Sequence, residues 1–213
     1  MKKTITAATA AAAVLAGALA GPATVQAKGV KGMGDWETTL KPRDIDGDGQ
    51  VDAWYDTTLN ITWLADTQPA GRKSGWQPAM EYIAKLNVKG VKGWRLPTFH
   101  DLGAPGCQFS DDGGTDCGYK PDPSSSDMAH MYYVTLGNKG APDDGWGLVN
   151  TGPFKNLKPS LYWTDIEYHP PGESWSFQWD EGRQQRHHNK YNFWSWPVHD
   201  GDIPHVNLPG QVD

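Results

Sequence analysis

From Ala53 to Ala65 the chain runs AWYDTTLNITWLA, two short stretches of aromatic and β-branched residues around a polar turn, and that pattern predicts a β-hairpin. A longer period follows. Trp76, Met80, Ile83 and Leu86 recur near helical spacing behind Ser74 and Gln77, which match a capping box, so a helix is predicted over about 75–87 with its apolar face in the core. In Gly93 to Thr98, GWRLPT, Pro97 disfavours helical geometry at Leu96. Trp94 and Leu96 should therefore be extended and buried, with a short helical turn starting at Thr98 and carrying Phe99 and Leu102. Arg95 between them needs a partner, an ion pair first and a ligand second. Residues 103–125, rich in Gly, Asp, Ser and Pro, predict a loop. Ser126 caps a second predicted helix, Asp127 to Leu136, which Gly137 ends. In Leu161–Ile166, Trp175–Trp179 and Trp194–Val198 bulky apolar residues alternate with smaller or polar ones, so each predicts a strand with one face to bury. Glu181 and Gly182 mark a turn into a return strand through His187. Early helices and a late antiparallel sheet make the expected class α+β, with no internal repeat.

Composition narrows this picture. The chain has 213 residues, and its Gly 25 and Pro 16 disfavour a bundle of long helices, while 11 Trp and 8 Tyr supply a core. Lys2 and Lys3 lead into an Ala-rich apolar run, which predicts a secretory signal peptide over 1–27 cleaved after Ala27, with Ala20 as an earlier alternative. No later stretch is long and apolar enough to predict a membrane span. The expected organisation is a signal at 1–27, a linker with an Asp-rich turn at 28–52, one domain at 53–202 and a tail at 203–213, secreted or periplasmic. The formal charge is −6, and it becomes −8 once the two lysines of 1–27 are gone, a balance that argues against nucleic-acid partners. An exported chain meets oxidising conditions, so Cys107 and Cys117 are expected to form a disulfide; on the chain-entropy model it contributes roughly 3 kcal/mol.

The first chemical motif is DIDGDGQVD, Asp44 to Asp52. Carboxylates at Asp44, Asp46 and Asp48 with Gly49 after the third match the opening half of a calcium loop, whose turn points hard oxygen ligands at one ion. The closing bidentate Glu is absent, since Tyr55 stands there, so a calcium site must recruit Asp52, Asp56 or an outside ligand. The competing reading is a solvated acidic turn. No other cofactor is indicated. Trp146, in a Gly- and Asp-rich loop, is the candidate to meet a ligand, because an exposed indole offers a flat apolar face to a sugar or peptide. His187, His188, His199 and His205 show no helical i, i+4 pair of the zinc-hydrolase kind, and no serine sits in a Gly-x-Ser-x-Gly elbow, so hydrolytic chemistry has no positive support.

Trp63-Leu64, the capped helix, GWRLPT, Tyr162-Trp163-Thr164, Trp175-Ser176-Phe177 and Trp196-Pro197-Val198 come in an order that resembles the collagen-like adhesin C-terminal domain family (Lcl C-terminal domain-like) over about residues 53–202. A subgroup of exported bacterial proteins with the Cys107 to Cys117 loop and Asn150-Thr151-Gly152-Pro153-Phe154 is also similar. The resemblance implies a C-type-lectin-like fold, two helices flanking antiparallel sheets, and a non-enzymatic module binding a polysaccharide or a cell-surface protein. Val198-His199 stands where the family commonly has Val-Arg, and the acidic balance opposes a sulfated polyanion. GWRLPT also resembles the Arg-Leu-Pro-Thr stretch of formylglycine-generating enzymes, but those use a reactive cysteine pair near the end of the domain, and nothing after Cys117 can supply a thiolate.

Overall fold

The computed structural model describes residues 28–100, 118–168, 171–208 and 210. The expected signal segment, the Cys107–Cys117 pair and Leu102 lie outside the described residues.

A single turn of helix, α1 (Trp36–Thr39), feeds β1 (Leu40–Arg43), so the chain enters a sheet ahead of the hairpin read from the sequence. That hairpin is β2 (Ala53–Asp56) and β3 (Ile61–Leu64), with Trp54 opposite Trp63. Its turn is fixed by Asp56, whose buried carboxylate accepts from the Thr58 and Leu59 N–H groups at 2.9 and 3.1 Å. The first sheet runs β1-β2-β3-β8, β8 being Val198–Asp200. The second runs β4-β7-β6-β5, from β4 (Gly118–Tyr119), β5 (Leu161–Glu167), β6 (Glu173–Gln178) and β7 (Arg183–His188). Every pairing in both sheets is antiparallel, and the class is α+β with short helices.

Four local expectations are corrected, the first being the strand read over Trp194–Val198: Phe193 and Trp194 form only isolated bridges, and β8 starts at Val198. Helix α2 covers Trp76–Ala84, but Ser74 and Gln77 form no capping box. Ser74 instead exchanges backbone hydrogen bonds with Phe193, both 3.0 Å, and Gly75 takes the N-cap position. The tertiary pairing thus outcompetes the local cap. Helix α3 is α-helical only over Asp127–His130, where Ser126 Oγ accepts from Ala129 N–H as expected, and it widens into a π-helical turn at Met131–Thr135. Thr98 starts no helix: Phe99 pairs with Ser126 in an isolated bridge and the Thr98 hydroxyl donates to Asp165 at 2.6 Å. The chain past the last strand is also used, since Ile203 is buried and Val206 N–H donates to the Asp44 carbonyl at 2.7 Å.

The two sheets are joined by aromatic packing. Trp63, Trp179, Trp196, Tyr132, Tyr162 and Phe177 are fully buried in one cluster, with Trp63 and Trp196 centroids 4.5 Å apart and Trp179 5.5 Å from Trp196. Trp76 and Ile83 of α2 join Trp94, Leu96, Trp163 and Phe193 in a second. Each large side chain removed from water in this way contributes about 1.5–3 kcal/mol, so these strands are held mainly by their inward faces. Gly137 (φ +67°) closes the π turn where a Cβ would lie 2.5 Å from the Gly34 backbone nitrogen, which leaves space only for hydrogen.

Candidate functional site

The Asp loop is anchored at both ends by the protein's own groups. Asp52 N–H donates to the Arg43 carbonyl at 2.8 Å, and Arg43 grips Asp202 through Nε and Nη2 at 2.7 and 2.8 Å. Burial works to raise the Asp202 carboxyl, but its paired guanidinium prevails and holds it below its ordinary value. Inside the loop, buried Asp44 accepts from Gly47 and Gly49 N–H at 2.8 and 2.7 Å, and Asp52 Oδ2 accepts from Ile45 N–H at 2.9 Å. These bonds converge the carboxylates: one oxygen each from Asp44, Asp46 and Asp48 lies within 4.8 Å of the others.

The sequence reading missed the counter-ion that the fold brings in. Lys89 Nζ sits 2.7 Å from Asp46, 3.0 Å from Asp48 and 2.9 Å from Asp52, which makes its ammonium a tethered cation at the mouth of the cluster. Its pKa rises, chiefly through the bonds to Asp46 and Asp52, and Asp48 is lowered, first by the Gln50 N–H and then by Lys89. No periodicity in the sequence ties position 89 to 46; only the folded turn after α2 does so. The three carboxylates could hold a metal ion, but calcium takes about six to eight oxygens, and Asp56 already uses Oδ1 to fix the hairpin turn.

Trp146 lies elsewhere, on the stretch from Gly137 to Asn150. Asn138 Oδ1 accepts from Val149 and Asn150 N–H at 3.0 and 2.8 Å. The Asn150 side chain accepts from Val30 and Gly152 N–H and donates to the Met33 and Leu136 carbonyls, all within 3.0 Å. Both amides are buried, and their bonds close the two ends of this irregular loop. At its tip Trp146 N–H donates to Asp143 O and Gly147 N–H to Lys139 O. Trp146 is 49% exposed, as is Val149 three positions on, and among the described residues it is the only tryptophan left open to this degree.

Arg95 is engaged by protein. Nη2 lies 2.7 Å from Asp200, Nε donates to the same carboxylate at 2.9 Å, and Nη1 reaches Asp127 and the Leu96 carbonyl at 3.3 and 3.0 Å. The arrangement ties the GWRLPT segment to β8 and to the start of α3. It does not bring Arg95 together with Trp146 or with the Asp loop by any contact among the described residues.

One pair has the composition of a hydrolytic dyad. Ser176 Oγ is 2.9 Å from His187 Nδ1 and 3.1 Å from the Gln185 carbonyl. Ser176 is fully buried in the middle of the second sheet, where no substrate carbonyl can approach its oxygen, and the contact ties β6 to β7 instead.

No family model, curated protein or solved structure matches this chain.

Proposed function

We propose that the chain is an exported, non-enzymatic binding module of C-type-lectin-like architecture, related to the collagen-like adhesin C-terminal domain family, that takes a glycan against Trp146. The observation that supports it is an indole half open to solvent on a loop fixed by buried asparagine amides. An aromatic face covers the C–H face of a sugar ring, and a loop already ordered before binding loses little conformational freedom when the ligand arrives. In the same reading the Asp44, Asp46 and Asp48 carboxylates take a calcium ion that orders the start of the domain, and Lys89 must swing out to admit it. That ion is structural and takes no part in ligand contact.

Glycan arrays probed with the mature protein and with Trp146→Ala test the proposal. The expected result is a defined set of glycans that the variant binds at least about tenfold more weakly, a loss of about 1.4 kcal/mol. Silence on every glycan, with a cell-surface protein recovered by pull-down, points to a protein-interaction or envelope-structural role.

A further inference from the structure

The β6–β7 hairpin has two ends. At the turn Gln178 pairs with Arg183, close to the Trp146 loop, whose Ala141 N–H donates to Glu181 O. At the open end Glu173 pairs with His188, and there Tyr168, Pro171, Gly172, Glu173, Arg186 and His188 line a cavity of about 450 Å³. The space is within the range of small-molecule sites, roughly 300–1,000 Å³.

The described residues around it are tied to one another. Tyr168 N–H donates to Glu173 O at 2.8 Å and Asn189 N–H to Gly172 O at 2.9 Å. Glu167 accepts from Gly172 N–H and Asn189 Nδ2 at 3.3 and 3.1 Å, and Ser174 Oγ donates to Asn189 at 2.7 Å. Tyr168 is backed by Trp175, centroids 5.9 Å apart, and Trp175 by Phe99 at 4.7 Å. The Arg186 guanidinium lies 4.3 Å from the Tyr168 ring centroid, and its Nε is 3.2 Å from Glu173 Oε2. Its two terminal amino groups make no hydrogen bond among the described residues. His188 Nδ1 accepts from Lys190 N–H at 3.2 Å, which leaves Nε2 as the protonated donor of the neutral ring.

The cavity therefore offers the donors of Arg186 and His188 next to a carboxylate acceptor, with Pro171 and Tyr168 as apolar surface. Its charges cancel. A carboxylate ligand drawn to Arg186 meets Glu173, and an ammonium drawn to Glu173 meets Arg186. Two neighbouring hydroxyls suit both at once, one donating to Glu173 and the other accepting from Arg186, because a hydroxyl is donor and acceptor together. We propose that this cavity is a second saccharide site, which binds a neutral pyranose through two adjacent hydroxyls. It uses neither Trp146 nor the Asp loop, so it stands or falls apart from them.

Methyl glucoside, methyl galactoside, methyl mannoside and glucuronic acid are titrated into the mature protein, with the Arg186 Nε–H resonance followed by NMR. The same series is run on Arg186→Met, Glu173→Gln and Trp146→Ala, each checked for an unchanged unfolding midpoint. A neutral methyl glycoside should shift the Arg186 resonance with a Kd of about 1–10 mM, and Arg186→Met and Glu173→Gln should each weaken binding about tenfold or more, as read by saturation transfer from protein to sugar. Trp146→Ala should leave the shift intact. No shift at about 50 mM of any glycoside overturns the proposal. So does binding of glucuronic acid alone that tightens in Glu173→Gln, since removing the carboxylate favours an anion. So does saccharide binding lost with Trp146→Ala but kept in Arg186→Met, which leaves the Trp146 reading standing by itself.

Discussion

Two irregular segments of this protein are fixed in opposite ways. The Asp44–Asp52 loop is gathered by charge, three carboxylates (Asp46, Asp48 and Asp52) around the ammonium of Lys89 and Asp44 on a row of backbone N–H donors, with much of it open to water. The Gly137–Asn150 loop is gathered by two neutral amides that water does not reach. The first arrangement responds to salt, acid and divalent ions, because each of these changes the charge balance that shapes it. The amide clamp of the second carries no charge to respond with, although the Lys120–Asp143 pair at 2.8 Å adds a charged contact on its rim. Neutral buried amides suit a loop that must keep one shape, and a charged cluster suits one whose shape follows its ionic surroundings.

The comparison breaks most directly at Asn150. Asn150→Ala removes the partners of Val30 and Gly152 N–H and of the Met33 and Leu136 carbonyls at once. Buried polar groups left without partners cost about 1–3 kcal/mol each, and partial relaxation brings the expected loss in urea unfolding to about 3–5 kcal/mol. A loss under about 1 kcal/mol would mean the amides are not what holds this loop.

Next in size is the response to calcium. Thermal unfolding of the wild type with calcium and with chelator should differ, by about 2.7 kcal/mol where calcium stands at 100 times its dissociation constant. The Asp46→Ala, Asp48→Ala double variant should lose the difference, and Lys89→Gln should tighten calcium binding by removing the tethered competitor. An unchanged midpoint in all of these at millimolar calcium leaves a solvated turn locked by lysine.

Much of the fold was legible in the sequence, and two of the exceptions share a cause. The β2–β3 hairpin and α2 declare themselves by spacing, because the residues that stabilise them are a few positions apart. The capping box at Ser74 and the helical turn at Thr98 failed because their backbones found better partners, Phe193 for Ser74 and Ser125 and Asp127 for the 98–100 segment, which no local pattern announces. The Asp spacing pointed to a cation, but not to Lys89, which fills that place from 41 residues beyond Asp48. Asn150 entered the reading only within the Asn-Thr-Gly-Pro-Phe stretch; an asparagine before a Thr-Gly-Pro turn is a hint of a loop clamp, though its four partners lie as far as 120 residues away.

A smaller effect separates the loops by salt. In chelator, Lys89→Gln should lower the melting temperature at low ionic strength and have almost no effect at about 1 M salt, where screening reaches about 3 Å. The deficit of Asn150→Ala should persist unchanged.

The smallest test uses acid. Burial, with Arg183 nearby, holds His187 below its ordinary value, so on acidification the unfolded chain takes up the proton first. Its contribution to stability is complete above the ordinary histidine range and falls as the pH drops through about 6.5. Asp48 is also lowered, but its contribution persists until the pH falls below the ordinary carboxylate range. Loss of stability between about pH 7 and 5 should therefore flatten in His187→Gln and be untouched by Asp48→Asn, as followed by urea unfolding across that range.

The packing of the indoles also decides how this protein handles light. Trp63, Trp179 and Trp196 lie close enough to pass excitation among themselves, and none of them meets solvent, so their emission belongs to an apolar medium. Trp146 stands outside that group and emits from water. Iodide in solution can quench it while sparing the buried three, and because Trp36, Trp54 and Trp194 are only partly buried, the difference spectrum against Trp146→Phe isolates a reporter of whatever settles on that loop.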